Sequence, residues 1–157
     1  MASKTARVKS FIVVLLFIPK KDADAFYEFG KNMGIAFQLQ DDILDAFAED
    51  PKAFGKQVGG DILSNKKTYL LLTALNKADV MQKEKLAKSI TAKDFDPNEK
   101  VKTMKELFIA TGAKSAAEKE QQIYHTQALD ALKRVSIADD KKTTLKNFVL
   151  KVMHRTK

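Results

Sequence analysis

Between residues 22 and 48, apolar side chains recur at Ala25, Phe26, Phe29, Met33, Ala36, Phe37, Ile43, Leu44 and Phe47. Most of these fall on one side of a helix of about 3.6 residues per turn, so the run predicts one long helix with a buried face. Asp50-Pro51 ends it, because a proline pushes the residue before it out of the helical region. Similar patterning predicts helices over 66–77, 78–90, 98–111, 114–135 and 137–153. Asp96-Pro97 opens one of these and Gly112 separates two others. Residues 4–17 read as an earlier helix closed by Pro19, and residues 52–65 as a loop. No stretch alternates apolar and polar residues in the manner of a strand. The predicted fold class is all-α, a helical bundle forming a single domain over residues 1–157.

Composition agrees. Hydrophobic residues at 45% and charged residues at 31% suit a globular chain that can bury a core. Only 6 glycines and 3 prolines argue against a turn-rich β protein. There is no cysteine, which removes disulfides, thiolate metal sites and thiol nucleophiles. His125 and His154 are the two histidines, and both read as surface or cap residues. The net charge of +8 favours anionic partners without choosing among them. Basic residues precede the apolar run FIVVLLFI at residues 11–18, which imitates a secretory leader. Pro19-Lys20-Lys21 stands where a cleavage site would need small residues, and the run is far shorter than the ~20 residues of a spanning helix. The expectation is a buried core helix, no stable membrane insertion and a cytoplasmic location.

Two segments carry candidate chemistry. In FQLQDDILD, residues 37–45, Asp41 and Asp45 fall about 40° apart around the helix, with Asp42 beside them and Gln38 one turn earlier. Carboxylates so close repel unless a cation sits among them, and Mg²⁺ suits such a place because it shares its shell with waters and phosphate oxygens. The competing reading is an exposed acidic face. Apolar Ile43, Leu44 and the preceding GIAF favour a surrounded helix whose acids line a cavity. The second segment, FGKQVGGDILSNKKT at residues 54–68, sets Lys56, Lys66 and Lys67 around a glycine pair and Asp61. Glycines admit close backbone approach, and lysines supply point charges for phosphate. Alone it reads as a solvated basic loop, and it is not a Walker A loop, since no Ser or Thr follows Lys56. Together the two segments describe a site for a diphosphate bridged to Mg²⁺.

With GIAFQLQDDILD, GKQVGGD and NKKT in this order, residues 27–72 resemble the trans-isoprenyl diphosphate synthases, the polyprenyl synthetase family. Weaker similarity extends to Ser3-Lys4-Thr5-Ala6 and to the basic ending with Arg155 and Lys157. The resemblance implies the isoprenoid synthase fold, of which this chain resembles the C-terminal half. It also implies head-to-tail prenyl transfer from an allylic diphosphate to isopentenyl diphosphate with Mg²⁺. Asp41, Asp42 and Asp45 would then be metal ligands, with Asp45 a ligand or an outer partner. Lys4, Thr5, Gln38 and Lys56 would act at the reacting centre. Phe37, Lys66, Lys67 and Arg155 would contact substrate.

That family also carries a first aspartate-rich motif with paired arginines and an earlier basic isopentenyl site. Neither is found in this sequence. The remaining acidic pair, Asp139-Asp140 before Lys141-Lys142, reads as a helix cap in a solvated charge run. The expectation is therefore a homo-oligomer or association with a missing N-terminal half. The alternative function is a non-catalytic diphosphate-binding or partner subunit, or a truncated fragment of a synthase. Nucleic acid is not an expected partner: the lysines are scattered and the clustered acids oppose it.

Overall fold

The computed structural model describes residues 18–48 and 58–153. Among these residues there are seven helices and no strand, so the all-α expectation holds. We label them α1 (Lys20–Phe47), α2 (Gly60–Leu63), α3 (Tyr69–Lys77), α4 (Val80–Thr91), α5 (Pro97–Ala110), α6 (Ala113–Arg134) and α7 (Asp139–Met153). The helix expected over 4–17 and the break at Asp50-Pro51 lie outside the described residues. No helix among the described residues is long and apolar enough to cross a membrane.

Local chemistry sets the boundaries. Asp79 and Gln82 form a reciprocal capping box that starts α4. Asp96 accepts the Glu99 amide at 2.9 Å, with Pro97 in the first turn of α5. Gly112, with φ of +71°, lets the chain leave α5 and enter α6 directly. Two predictions need correction. The helix expected from residue 66 begins at Tyr69, because the Thr68 hydroxyl accepts the Leu71 amide at 3.2 Å and caps it there. Lys66 and Lys67 are thereby left in the turn ahead of the helix. The loop expected over 52–65 contains the single turn α2. The other helix ends agree with the sequence pattern to within two residues.

The long helices α1 and α6 form the frame, packed along each other more extensively than any other pair. Their contact is built on small side chains: Ala25, Ala36 and Ala46 of α1 and Ala117, Ala128 and Ala131 of α6 are all buried. Alanine lets the two backbones approach closely without leaving voids. At one end, buried Asp22 accepts the Ser136 amide at 2.9 Å and ties the start of α1 to the chain just beyond α6. The main core gathers Ala46 and Ile62 with Leu70, Leu71, Leu86, Met104 and Phe108. It joins the C-terminal end of α1 to α2, α3, α4 and α5. A smaller cluster packs Phe29, Met33, Tyr124 and Leu129 around Ala36 and Val149. The two aspartates opening α7 are exposed, as expected. His125 is a correction: it stands in the middle of α6 and is half-buried, where the helix turns that face inward. Phe108 is core, whereas Phe148 is 62% exposed.

Candidate functional site

The C-terminal half of α1 presents the acidic segment to the loop that leads into α3. Asp42 is buried at the junction. Its Oδ1 accepts Gln38 Nε2 at 3.0 Å and lies 3.9 Å from Lys66 Nζ, while its Oδ2 accepts the Tyr69 amide at 3.3 Å. Asp45, one turn on and also buried, accepts the Asp61 amide through Oδ2 at 2.9 Å. Its backbone carbonyl accepts the Gly59 amide at 2.6 Å. The Asp61 carboxylate in turn accepts Lys66 Nζ at 2.7 Å. The two segments singled out in the sequence are thus joined through a carboxylate of each to one lysine.

Electrostatics follow from this arrangement. The hydrogen bond to Asp61 holds the Lys66 ammonium above the ordinary lysine value. The charges of Asp61, Asp42 and Asp45 add to that effect, and partial burial opposes it. Asp41 is half-buried and has no hydrogen bond or ion pair to another described residue. Among the described residues, no three carboxylates or histidines are grouped so as to hold a metal ion, and Asp45 is engaged with the loop backbone. The donor set does fit a cation of Mg²⁺ type that takes one or two protein carboxylates and completes its shell with water and phosphate oxygens. Asp41 supplies an uncommitted carboxylate for this, and Asp42 retains acceptor capacity beyond its present bonds.

An open groove of about 730 Å³ runs between α1 and the loop and start of α3. Gln38, Asp42, Lys66, Lys67 and Thr68 supply polar lining, Lys31 adds a further cation from α1, and Ile35, Leu39, Tyr69 and Leu72 supply apolar wall. Neither Asp41 nor Phe37 lines it. Lys4, Thr5, Lys56 and Arg155 lie outside the described residues. Two contributors were not in the candidate set: Asp61, whose signal was its place directly after the glycine pair, and Tyr69, which acts through its backbone amide and so leaves no trace in residue type.

Residues 2–108 match the polyprenyl synthetase family. This chain belongs to that family. It is 35% identical over 123 residues to a geranylfarnesyl diphosphate synthase of Aeropyrum pernix, a match covering 78% of this chain and 37% of the relative. It is 38% identical over 89 residues to a farnesyl diphosphate synthase of Bacillus subtilis, covering 52% of this chain and 30% of the relative. Among solved structures, a geranylgeranyl pyrophosphate synthase superposes with a TM-score of 0.78 at 36% identity, over 88% of this chain and 43% of that one. A second, from Corynebacterium glutamicum and complexed with isoprenyl diphosphate and magnesium, gives 0.74 at 35% identity, over 84% and 37%. The chain spans less than half the length of each of these polyprenyl synthetase relatives.

Proposed function

We propose that this chain carries the diphosphate-binding part of a prenyl-transfer site, acting on an allylic diphosphate and isopentenyl diphosphate. The observation that carries the reading is the position of Lys66. It is 2.7 Å from Asp61 and 3.9 Å from Asp42, in a groove lined partly by polar and charged side chains and partly by apolar Ile35, Leu39, Tyr69 and Leu72. A ligand with a diphosphate head and a hydrocarbon tail matches that division. Lys66 and Lys67 bind phosphate oxygens as point charges. Ile35, Leu39, Tyr69 and Leu72 exclude water from the carbon chain. Gln38, hydrogen-bonded to Asp42, orients that carboxylate towards the loop. In this reading Asp41 and Asp42 hold the metal, and Asp45 serves as the outer partner that anchors the loop. Mg²⁺ bound there would neutralise charge on the diphosphate leaving group. Lys4, Thr5, Phe37, Lys56 and Arg155 complete the proposed substrate contacts, and the proposed setting is the cytoplasm.

A second reading rests on the sequence, which holds one aspartate-rich motif of the family and not the first. The chain would then bind diphosphate without turning it over, or pair with a second copy or another polypeptide that supplies the remaining carboxylates. One assay separates the two: prenyl transfer by the purified chain from labelled isopentenyl diphosphate, an allylic diphosphate and Mg²⁺, run beside Asp41→Asn. Metal-dependent product that disappears in the variant supports the enzyme. Absence of product together with retained pyrophosphate binding supports the binding subunit.

A further inference from the structure

Helix α5 contributes nothing to the groove, yet two of its consecutive residues touch the loop of residues 59–68 near its two ends. At one end, a Cβ on Gly59 would lie 2.6 Å from Val101 Cγ2, so the valine is seated directly on the glycine backbone. Near the other, Lys100 Nζ donates to Asn65 Oδ1 at 2.9 Å. Asn65 Nδ2 then donates to the Ile90 carbonyl at the end of α4 at 3.1 Å. Asn65 has φ of +51° and immediately precedes Lys66. Lys100 itself is 5% exposed, forms no ion pair with a described residue, and lies 4.2 Å over the Phe95 ring. Burial depresses the pKa of Lys100 below the ordinary lysine value.

A buried ammonium satisfied by a neutral amide is a poor device for stability, because the cost of removing the charge from water is not offset by a counter-charge. It is a good device for fixing one amide in one orientation. We infer that Lys100 is a positioning residue for the diphosphate site: through Asn65 it holds the left-handed turn that delivers Lys66 to Asp61 and Asp42, while Val101 holds the loop at Gly59. The inference rests on the reading that Lys66 binds diphosphate.

The test uses the whole chain with Lys100→Met, which keeps volume and removes charge. Asn65→Gly serves as the second variant; it tolerates positive φ and severs the same link without touching the core. Three readouts are taken: thermal melting, amide hydrogen exchange, and calorimetric binding of inorganic pyrophosphate with Mg²⁺. Lys100→Met is expected to leave melting unchanged or raised, since it removes a buried charge. The Asp61, Lys66 and Tyr69 amides should exchange about tenfold faster, and pyrophosphate affinity should fall about tenfold, the size of one charge-assisted hydrogen bond. In a Lys66→Ala background Lys100→Met should cause no further loss of affinity. The inference is overturned if exchange at those three amides is unchanged in both variants, if protection falls equally along α6, or if the affinity losses of Lys100→Met and Lys66→Ala add in full. If the unmodified chain binds no pyrophosphate, the diphosphate reading fails, and the exchange data still decide the positioning role.

Discussion

Asp45 and Asp61 are joined by a 2.9 Å hydrogen bond from the amide of the second to the carboxylate of the first, across sixteen residues of chain. Asp45 is buried, whereas Asp41, one turn earlier, is half-buried and without a bonded partner among the described residues. One acid therefore builds the loop and the other is available to a ligand. Asp45→Ala should cost about 1–3 kcal/mol of stability, the penalty for orphaning a partly buried donor. Asp41→Ala should stay within about 0.5 kcal/mol of the unmodified chain. Urea unfolding of the two variants checks this, and equal losses would mean that the roles have been wrongly divided.

The glycines separate in the same way. Gly59 has φ of +86° and is overlain by Val101, so Gly59→Ala meets both backbone strain and a clash. It should destabilise by about 1–3 kcal/mol, and Val101→Ala in the same chain should recover only the steric part. Gly34 lies within α1 with open space where its Cβ would stand. Gly34→Ala should therefore raise stability by up to about 1 kcal/mol through helix propensity. Denaturation midpoints with unchanged slopes would confirm the opposite signs.

The helices other than α2 were legible because each combines a 3.6-residue apolar period with a local stop or start. Asp79 lies inside the helix expected from residue 78 and caps one that begins at Val80, whereas Asp96 and Gly112 announce their boundaries in residue type alone. Thr68 did not, since its capping role competes with helix-forming Lys66 and Lys67 immediately before it, and only the Leu71 amide decides the outcome. Within the site, the acidic and basic segments could be paired from sequence because carboxylates and lysines at that spacing suit one ligand class. That Asp45 would accept the Asp61 amide was not legible: helical spacing fixes the angle of a side chain and not the partner it meets. Lys100 was invisible for a related reason. Its significance comes from a contact thirty-five residues away, and nothing in the surrounding EKVK pattern marks that lysine as buried.

Lys66 makes alkaline pH informative. Its pKa is raised above 10.5 by the hydrogen bond to Asp61 and the neighbouring carboxylates. Because the folded value exceeds the unfolded one, the contact contributes fully below the unfolded value and is lost as pH rises through the folded value. The stability gap between the unmodified chain and Lys66→Met should thus be constant near neutrality and shrink above about pH 10.5. Lys100 has the opposite sign: burial lowers its pKa, so the fold gains stability as pH rises from the folded value towards the unfolded one. Lys100→Met should abolish that gain. Urea unfolding across the alkaline range reads both, and parallel pH profiles for the two variants would contradict the assignment.

Asp41→Asn is the sharpest test of metal-linked binding, because the substitution keeps the shape of the side chain while removing its charge and turning one acceptor oxygen into a donor NH2. No described residue depends on the Asp41 carboxylate, so the fold should be indifferent to the change. Outer partners of metal sites are worth about 10–100-fold in affinity, and a direct ligand should be worth at least as much. Calorimetric titration of pyrophosphate should therefore show a loss of about that size with Mg²⁺ present and little difference without it. Lys66→Ala should weaken pyrophosphate binding in both conditions, since in the proposed reading the ammonium would meet phosphate directly and not through a cation. If Asp41→Asn bound pyrophosphate as tightly as the unmodified chain in Mg²⁺, the half-buried carboxylate would be excluded as a ligand and Asp42 would remain as the groove-lining acid to test.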